Sequence, residues 1–165
     1  MKKTWVEKLA DKATLPKVLQ LEAGFPCYKA VHKMGAEIGE PIILVNAGEI
    51  IPIMASVPLG KIITIREICL GLAKQHAVKG CCSLTSGIFI MTIANAVEEA
   101  RAANIDDALA VIPYWRTLKA EGFLNEKFPG GQDGHKQKLE AEGFRINGRG
   151  KKYQVADWDK HLLIL

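Results

Sequence analysis

Two helical segments joined by a short link constrain the fold of this chain most. The first, TIREICLGLAKQHAV, starts at Thr64 with Glu67 three residues later, which is the pattern of a capping box. Its apolar residues recur at helical spacing and predict one buried face. After KGCC, the segment SLTSGIFIMTIANAVEEARAAN begins with serine and threonine cap candidates and predicts a long buried helix. The pair has the outline of a helix-turn-helix, although any helical hairpin in a core shares that outline.

Composition indicates one ordinary globular core. The chain has 165 residues, of which 48% are hydrophobic and 24% are charged, so neither disorder nor a membrane protein is indicated. The longest apolar passage, residues 87–97, falls short of the roughly 18 residues that a membrane span needs. The charged start MKKTWVEKLADK lacks the apolar core of a secretory signal. We therefore expect a cytoplasmic protein with no membrane partner.

The four cysteines, Cys27, Cys69, Cys81 and Cys82, form no CxxC pair and predict free thiols. His76 with the adjacent Cys81 and Cys82 is the best metal-binding candidate. A structural zinc site needs four convergent ligands, and adjacent cysteines rarely both reach one ion. The sequence therefore predicts no metal and no cofactor.

The carboxyl-terminal third is basic and predicts a helix followed by a β-hairpin. GQDGHKQKLEAEG reads as a short helix that ends at Gly143, and FRINGRGKKYQVAD as two alternating runs around Gly148 and Gly150. Residues 136–152 hold six basic residues against two acidic ones. Such a charge run is often only a solvated helix face and a polar turn.

A helix-turn-helix followed by a basic hairpin is a winged-helix arrangement, and DNA phosphates are its expected ligand. From the hairpin we predict four phosphate contacts: Arg145, Arg149, Lys151 and Lys152. At the start of the second helix, the hydroxyls of Thr85 and Ser86 could join them, where the helix dipole favours anions.

The amino-terminal part is less regular. Thr4 is a cap candidate for a short amphipathic helix, and PIILVNAG reads as a buried strand. EIIPIMASVPLGK predicts a helix that tolerates Pro52 in an early turn. The expected fold class is mainly α with a small β component. We predict an α/β extension over residues 1–50, packed on a winged helix-turn-helix domain over residues 51–165.

Three ordered motifs resemble one protein family. VPLGKIITIREICLGLA is similar to the VPxGKVxTYGEIA opening of the DNA-binding domain of methylated-DNA–protein-cysteine methyltransferases. IPYWR stands where that family has IPCHR, and GGQDGHKQKLEAEGF resembles its closing segment. The resemblance covers residues 57–144 and implies that duplex DNA, unmodified or alkylated, is the partner. Residues before about 50 have no counterpart in it.

The resemblance also implies where the functional site lies, and that the site lacks the family's acceptor cysteine. The family's reaction needs a cysteine thiolate, activated by a histidine through water and by a glutamate. Tyr114 occupies the cysteine position and Trp115 the histidine position, while Arg116 and Glu142 match the family's arginine and glutamate. The family's orienting asparagine falls near Asp106. The expected site is therefore a pocket of Tyr114, Trp115, Arg116 and Glu142 that lacks the acceptor thiol.

The second helix departs from the family as well. No lysine or arginine occurs in it before Arg101, so the arginine that fills the space of a flipped nucleotide is missing. The family's helix tyrosine is replaced by Ile65. Both departures weaken the expectation of base flipping.

Tyr114 and Trp115 are either packing anchors or a stacking platform for a base. Adjacent residues of an extended segment point to opposite sides. We therefore expect Trp115 to pack inward against the helix that ends at Gly143. Tyr114 should then stay partly exposed beside Glu142.

Three functions remain open on the sequence alone. The preferred one is a non-catalytic, alkyltransferase-like DNA-binding protein that recognises alkylated or unpaired bases. The second is an alkyltransferase that uses another thiol, for which Cys82 is the weak catalytic candidate because it opens the second helix. The third is a protein-interaction module that has lost DNA binding.

Overall fold

The computed structural model describes residues 2–10, 15–104 and 108–165, and these form a mixed α/β fold. Its α-helices are α1 (Trp5–Leu9), α2 (Tyr28–Lys33), α3 (Ala47–Ser56), α4 (Ile65–Gln75), α5 (Ser83–Ala102) and α6 (Gly131–Ala141). Its strands are β1 (Lys17–Gln20), β2 (Pro41–Leu44), β3 (Ile63–Thr64), β4 (Gly80–Cys81), β5 (Thr117–Leu118), β6 (Ile146–Arg149) and β7 (Lys152–Val155). Within the described ranges, no helix has the length and apolar character needed to traverse a bilayer.

The two central helices form as predicted, but one cap differs. Thr64 Oγ1 accepts a hydrogen bond from the Glu67 amide at 3.3 Å and caps α4. α5 begins after Cys82, whose sulfur accepts from the Thr85 amide at 3.5 Å. The expectation of a serine or threonine cap on α5 is therefore wrong, because the extended backbone at Cys82 places its thiol over the first turn.

The amino-terminal residues are joined to the central helices by a sheet and by a helix contact. β1 pairs antiparallel with β2, and β2 pairs parallel with β4, which lies between α4 and α5. The amides of Trp5 and Val6, at the start of α1, both donate to the Glu99 carboxylate of α5 at 3.1 Å. These contacts cross the predicted boundary at residue 50, and the division into two domains stays a prediction.

α3 starts earlier than the sequence indicated. Asn46 caps it by accepting from the Glu49 amide at 3.3 Å, so Pro52 lies inside the helix and not in its first turn. A proline there lacks the amide that would bond the carbonyl four residues back. The buried side chains of Ala47, Ile50 and Met54 hold the helix against the core despite that loss.

The hairpin is held by a hydrophobic cluster of its own. β6 and β7 pair antiparallel around Gly150, whose φ of 62° suits the tight turn, as predicted. β3 and β5 pair parallel beside them. The cluster beneath consists of Ile62, Leu118, Leu124, Leu139, Phe144 and Val155. α6, which ends before Gly143 at φ 93°, is thereby fixed against the hairpin.

Candidate nucleic-acid interface

Tyr114 lies inside the main core. Residues Tyr114–Arg116 form a short 3₁₀ turn, and Tyr114 is 2% exposed with its ring edge-on to Phe128 at 5.5 Å between centroids. The expected exposure of Tyr114 is therefore wrong. The expectation assumed an extended segment with alternating sides, whereas a 3₁₀ turn rotates successive side chains by about a third of a turn.

Glu98 of α5 contacts three donors beside Tyr114. We call the corner the group of side chains that consists of Glu98, Tyr114, Trp115, Arg116, His135 and Glu142. Its Oε1 accepts from the Tyr114 hydroxyl at 2.9 Å, and it pairs with Lys138 Nζ at 3.2 Å and Arg101 Nη1 at 3.7 Å. Burial opposes its ionisation, but the hydrogen bonds from Tyr114 and Lys138 outweigh burial and lower the pKa of Glu98. Burial, together with the bond to Glu98, raises the pKa of Tyr114 well above its ordinary value. The phenol is thus held neutral.

Trp115 is partly buried, and it is this residue that meets Glu142. Its Nε1 donates to Glu142 Oε1 at 2.9 Å. Lys138 Nζ and Arg101 Cζ lie 5.1 Å and 5.6 Å from the ring centroid, within the range of cation–π attraction. Trp115 therefore packs against α6, as predicted, but Trp115 and not Tyr114 lies beside Glu142.

Arg116 and Glu142 form a forked ion pair. Arg116 Nε lies 3.1 Å and 3.0 Å from the two carboxylate oxygens, and Nη2 lies 2.7 Å from Oε1. Arg116 Nη1 also donates to the Val57 carbonyl at 2.7 Å. Glu142 caps the carboxyl end of α6, where the helix dipole disfavours an acid. Burial also disfavours the charge, but the bonds from Arg116 and Trp115 lower the pKa of Glu142.

His135 of α6 is a member of this corner that the sequence did not reveal. Its Nδ1 accepts from the Asn125 amide at 3.0 Å, so the ring proton lies on Nε2, which donates to the Trp115 carbonyl at 2.8 Å. Burial lowers the pKa of His135 to about 4, against a smaller opposing effect of the bond to Trp115. A neutral imidazole therefore supports the backbone of the 3₁₀ turn.

A cavity of about 340 Å³ opens beside Tyr114, between α5 and α6. Tyr114 and Pro129 form its apolar part, while Glu98 and Lys138 place an acceptor and a donor on its wall. Glu98 and Lys138 were not expected here. The only signal in the sequence was helical spacing, since Glu98 precedes Arg101 by three residues and Lys138 precedes Glu142 by four.

The predicted hairpin cations lie where a ligand could reach them. Arg149, Lys151 and Lys152 are exposed at the tip, whereas Arg145 lies at the base, 81% exposed and 3.5 Å from an Asp157 oxygen. The structure gives the positions of these four side chains, and their contact with DNA stays a prediction.

The prediction that the Ser86 hydroxyl contacts a phosphate is wrong. Its side chain is fully buried, and its hydroxyl lies 3.4 Å from Cys81 Sγ, so it is not available to a phosphate. The reason is register: Ser86 falls on the inward face of α5, toward the core. Thr85 is partly exposed, but its amide and hydroxyl both bond Cys82 Sγ, at 3.5 Å and 3.4 Å.

Cys82 lies apart from the corner. It is 6% exposed and belongs to a hydrophobic cluster with Leu21, Cys27 and Val31, not to the one that holds Tyr114. All four cysteines are free and buried, as expected for the thiols. Asp106 lies outside the described residues.

Two solved structures resemble this fold. The structure of S. pombe ATL in complex with DNA superposes with a TM-score of 0.50 at 14% identity, over 71% of this chain and 93% of that one. A second structure, of S. pombe Atl1 with DNA containing O6-carboxymethylguanine, gives a TM-score of 0.44 at 16% identity, with the same coverage of both chains. No protein-family model and no curated protein matches the sequence.

The chain therefore shares its fold with a small protein that was solved with DNA. That protein is S. pombe ATL.

Proposed function

We propose that this chain is a non-catalytic, alkyltransferase-like DNA-binding protein that recognises alkylated or unpaired bases. The observation that carries the proposal is the corner at the position of the family's acceptor cysteine. Tyr114 stands there as a neutral, buried phenol bonded to Glu98, and Trp115 is bonded to Glu142. Neither side chain is a nucleophile of the kind that alkyl transfer needs. The fold shared with S. pombe ATL, a protein solved with DNA, supports the choice of ligand.

In this proposal α4 and α5 act as the helix-turn-helix and the β6–β7 hairpin as the wing. α5 follows α4 after a short connection through β4, and the hairpin follows α6. The support is the exposure of Arg149, Lys151 and Lys152 at the hairpin tip, because phosphate contacts need side chains that solvent can reach.

The cavity beside Tyr114 is the proposed base pocket. An extruded base needs an apolar surface to stack on and a few polar groups for its edge. Pro129 offers the apolar surface, next to the buried ring of Tyr114, and Glu98 and Lys138 offer the polar groups.

Binding to matched duplexes tests the proposal. Fluorescence anisotropy at several salt concentrations should show tighter binding to a duplex that contains O6-methylguanine, or one unpaired base, than to the same unmodified duplex. Intact-mass measurement after incubation should show no methyl adduct on the protein. Equal affinity for all three duplexes contradicts damage recognition, and a methyl adduct on Cys82 contradicts the non-catalytic role.

A further inference from the structure

A second recess lies between the hairpin and the segment after β5. Its volume is about 560 Å³, and it lies apart from the cavity at Tyr114. Phe123 and the buried Leu124 form its apolar part, and three lysines line it: Lys119, Lys151 and Lys152. Phe123 is partly buried, with Lys152 Nζ 5.9 Å from its ring centroid. None of the functions described so far uses Lys119 or Phe123.

Hydrogen bonds hold the two walls of this recess together. The Leu124 amide donates to the Tyr153 carbonyl at 3.0 Å, and Gln154 Nε2 donates to the Glu121 carbonyl at 2.7 Å. On the other side, Gln132 at the start of α6 donates to the Lys151 carbonyl at 3.1 Å and accepts from the Tyr153 amide at 2.9 Å. The recess is therefore a built feature of the fold, and its lysines extend from fixed backbone.

The three lysines of the recess favour an anionic ligand, and the Phe123 ring favours one that also carries a flat apolar group. Glu121 and Glu126 also line the recess, and Lys119 Nζ pairs with Glu126 Oε2 at 3.1 Å. That pair is solvent-exposed on both sides, so a phosphate can replace the carboxylate at small cost. An aromatic surface rimmed by lysines is the arrangement that single-stranded nucleic acid uses, with bases on the ring and phosphates on the cations.

We infer that this recess binds a nucleotide of an unpaired DNA strand, with a base against Phe123 and phosphates at Lys119, Lys151 and Lys152. The inference rests on the proposed DNA binding and adds a second contact to it. An intact duplex cannot use the recess fully, since its bases are stacked inside and only its phosphates can reach the rim. A strand end, a gap or a bulge exposes free base faces.

The test compares a blunt duplex with the same duplex that carries a single-stranded overhang. We expect the wild-type chain to bind the overhang duplex more tightly. Phe123→Leu keeps an apolar side chain but removes the stacking face, and should remove about fivefold or more of that preference. Its affinity for the blunt duplex should not change.

Two further variants, one that removes a cation and one that removes an anion, should have opposite effects on binding. Lys119→Ala should weaken overhang binding and lower the salt dependence by about 0.7 in log K against log salt, the value for one phosphate on a single strand. Glu126→Gln releases Lys119 and should strengthen overhang binding. Lys29→Ala, an exposed lysine on α2, is the matched control and should leave both duplexes unaffected.

The outcomes separate the two proposals. If the wild-type chain shows no preference for the overhang, or if the preference survives in Phe123→Leu and Lys119→Ala, the recess assignment is wrong. Recognition of O6-methylguanine in a blunt duplex would still stand in that case. If the chain binds no DNA at all, the proposed function fails together with this inference.

Discussion

The corner at Tyr114 and the tip of the hairpin are opposite kinds of surface. At the corner, the polar atoms of Tyr114, Trp115 and Arg116 are bonded to two carboxylates from α5 and α6. At the tip, Arg149 and Lys151 extend into solvent from a two-strand turn. A change at the corner therefore disturbs packing and charge together, whereas a change at the tip alters only what the protein attracts. Variants at the two surfaces should therefore differ most in their free energy of unfolding.

Tyr114 gives the largest expected effect. Tyr114→Ala should lower the free energy of unfolding by about 3–5 kcal/mol, because it empties a fully packed aromatic site. Tyr114→Phe removes only the hydroxyl bonded to the charged Glu98 and should cost about 1.5–3 kcal/mol. Trp115→Ala should cost less than Tyr114→Ala, since its ring is partly exposed. Denaturant titration measures all three, and a larger loss at Trp115 would contradict the inward position of Tyr114.

His135 makes the corner sensitive to pH. Its pKa is about 4 in the folded chain, against the ordinary 6.5, so the unfolded chain binds more protons between these values. The contribution of neutral His135 is complete above pH 6.5 and is lost as pH falls toward 4, which amounts to about 3 kcal/mol. In His135→Gln this part of the pH dependence should disappear.

Chemical unfolding at several pH values gives the free energy of unfolding of the wild type and of His135→Gln. The carboxylates Glu98 and Glu142 have pKa values lowered from the ordinary 4.5, so their contributions are complete above about pH 4.5 and overlap the window of His135 only at its acidic end. Parallel curves for wild type and His135→Gln between pH 6.5 and 4 would show that His135 is not held neutral.

Arg116 should not tolerate lysine, although the charge is kept. A lysine cannot reproduce the forked pair with Glu142 and also reach the Val57 carbonyl. We expect Arg116→Lys to cost about 1–2 kcal/mol. Arg145→Lys is the matched control: its pair with Asp157 is largely exposed, and the change should be close to neutral. Equal costs would mean that the forked geometry contributes nothing.

The hairpin tip gives the smallest effect on stability and a separate effect on binding. Replacing Arg149, Lys151 and Lys152 by alanine should change the free energy of unfolding by less than about 0.5 kcal/mol. DNA affinity should fall for all sequences alike, with the salt slope reduced by up to about 0.9 for each lost phosphate contact. The control replaces three exposed lysines elsewhere: Lys17, Lys29 and Lys33. An unchanged slope would exclude the tip as a phosphate-binding surface.

Local signals in the sequence determined the elements that carry the basic surface. Thr64 and Glu67 specify the start of α4, Gly143 the end of α6 and Gly150 the turn of the hairpin, because caps and turns depend on residues only a few positions apart. The exposure of the hairpin lysines follows from the same short-range pattern. The sequence also showed that no cysteine stands in IPYWR.

The tertiary structure decided the corner. Whether Tyr114 or Trp115 turns inward depends on Glu98, 16 residues before Tyr114, and on Glu142, 26 residues after Arg116. The same holds for Ser86, whose helix the sequence predicted but whose inward face it did not. The physical reason is that a buried polar group must find its partner wherever the packed helices place one, and that partner need not be near in sequence.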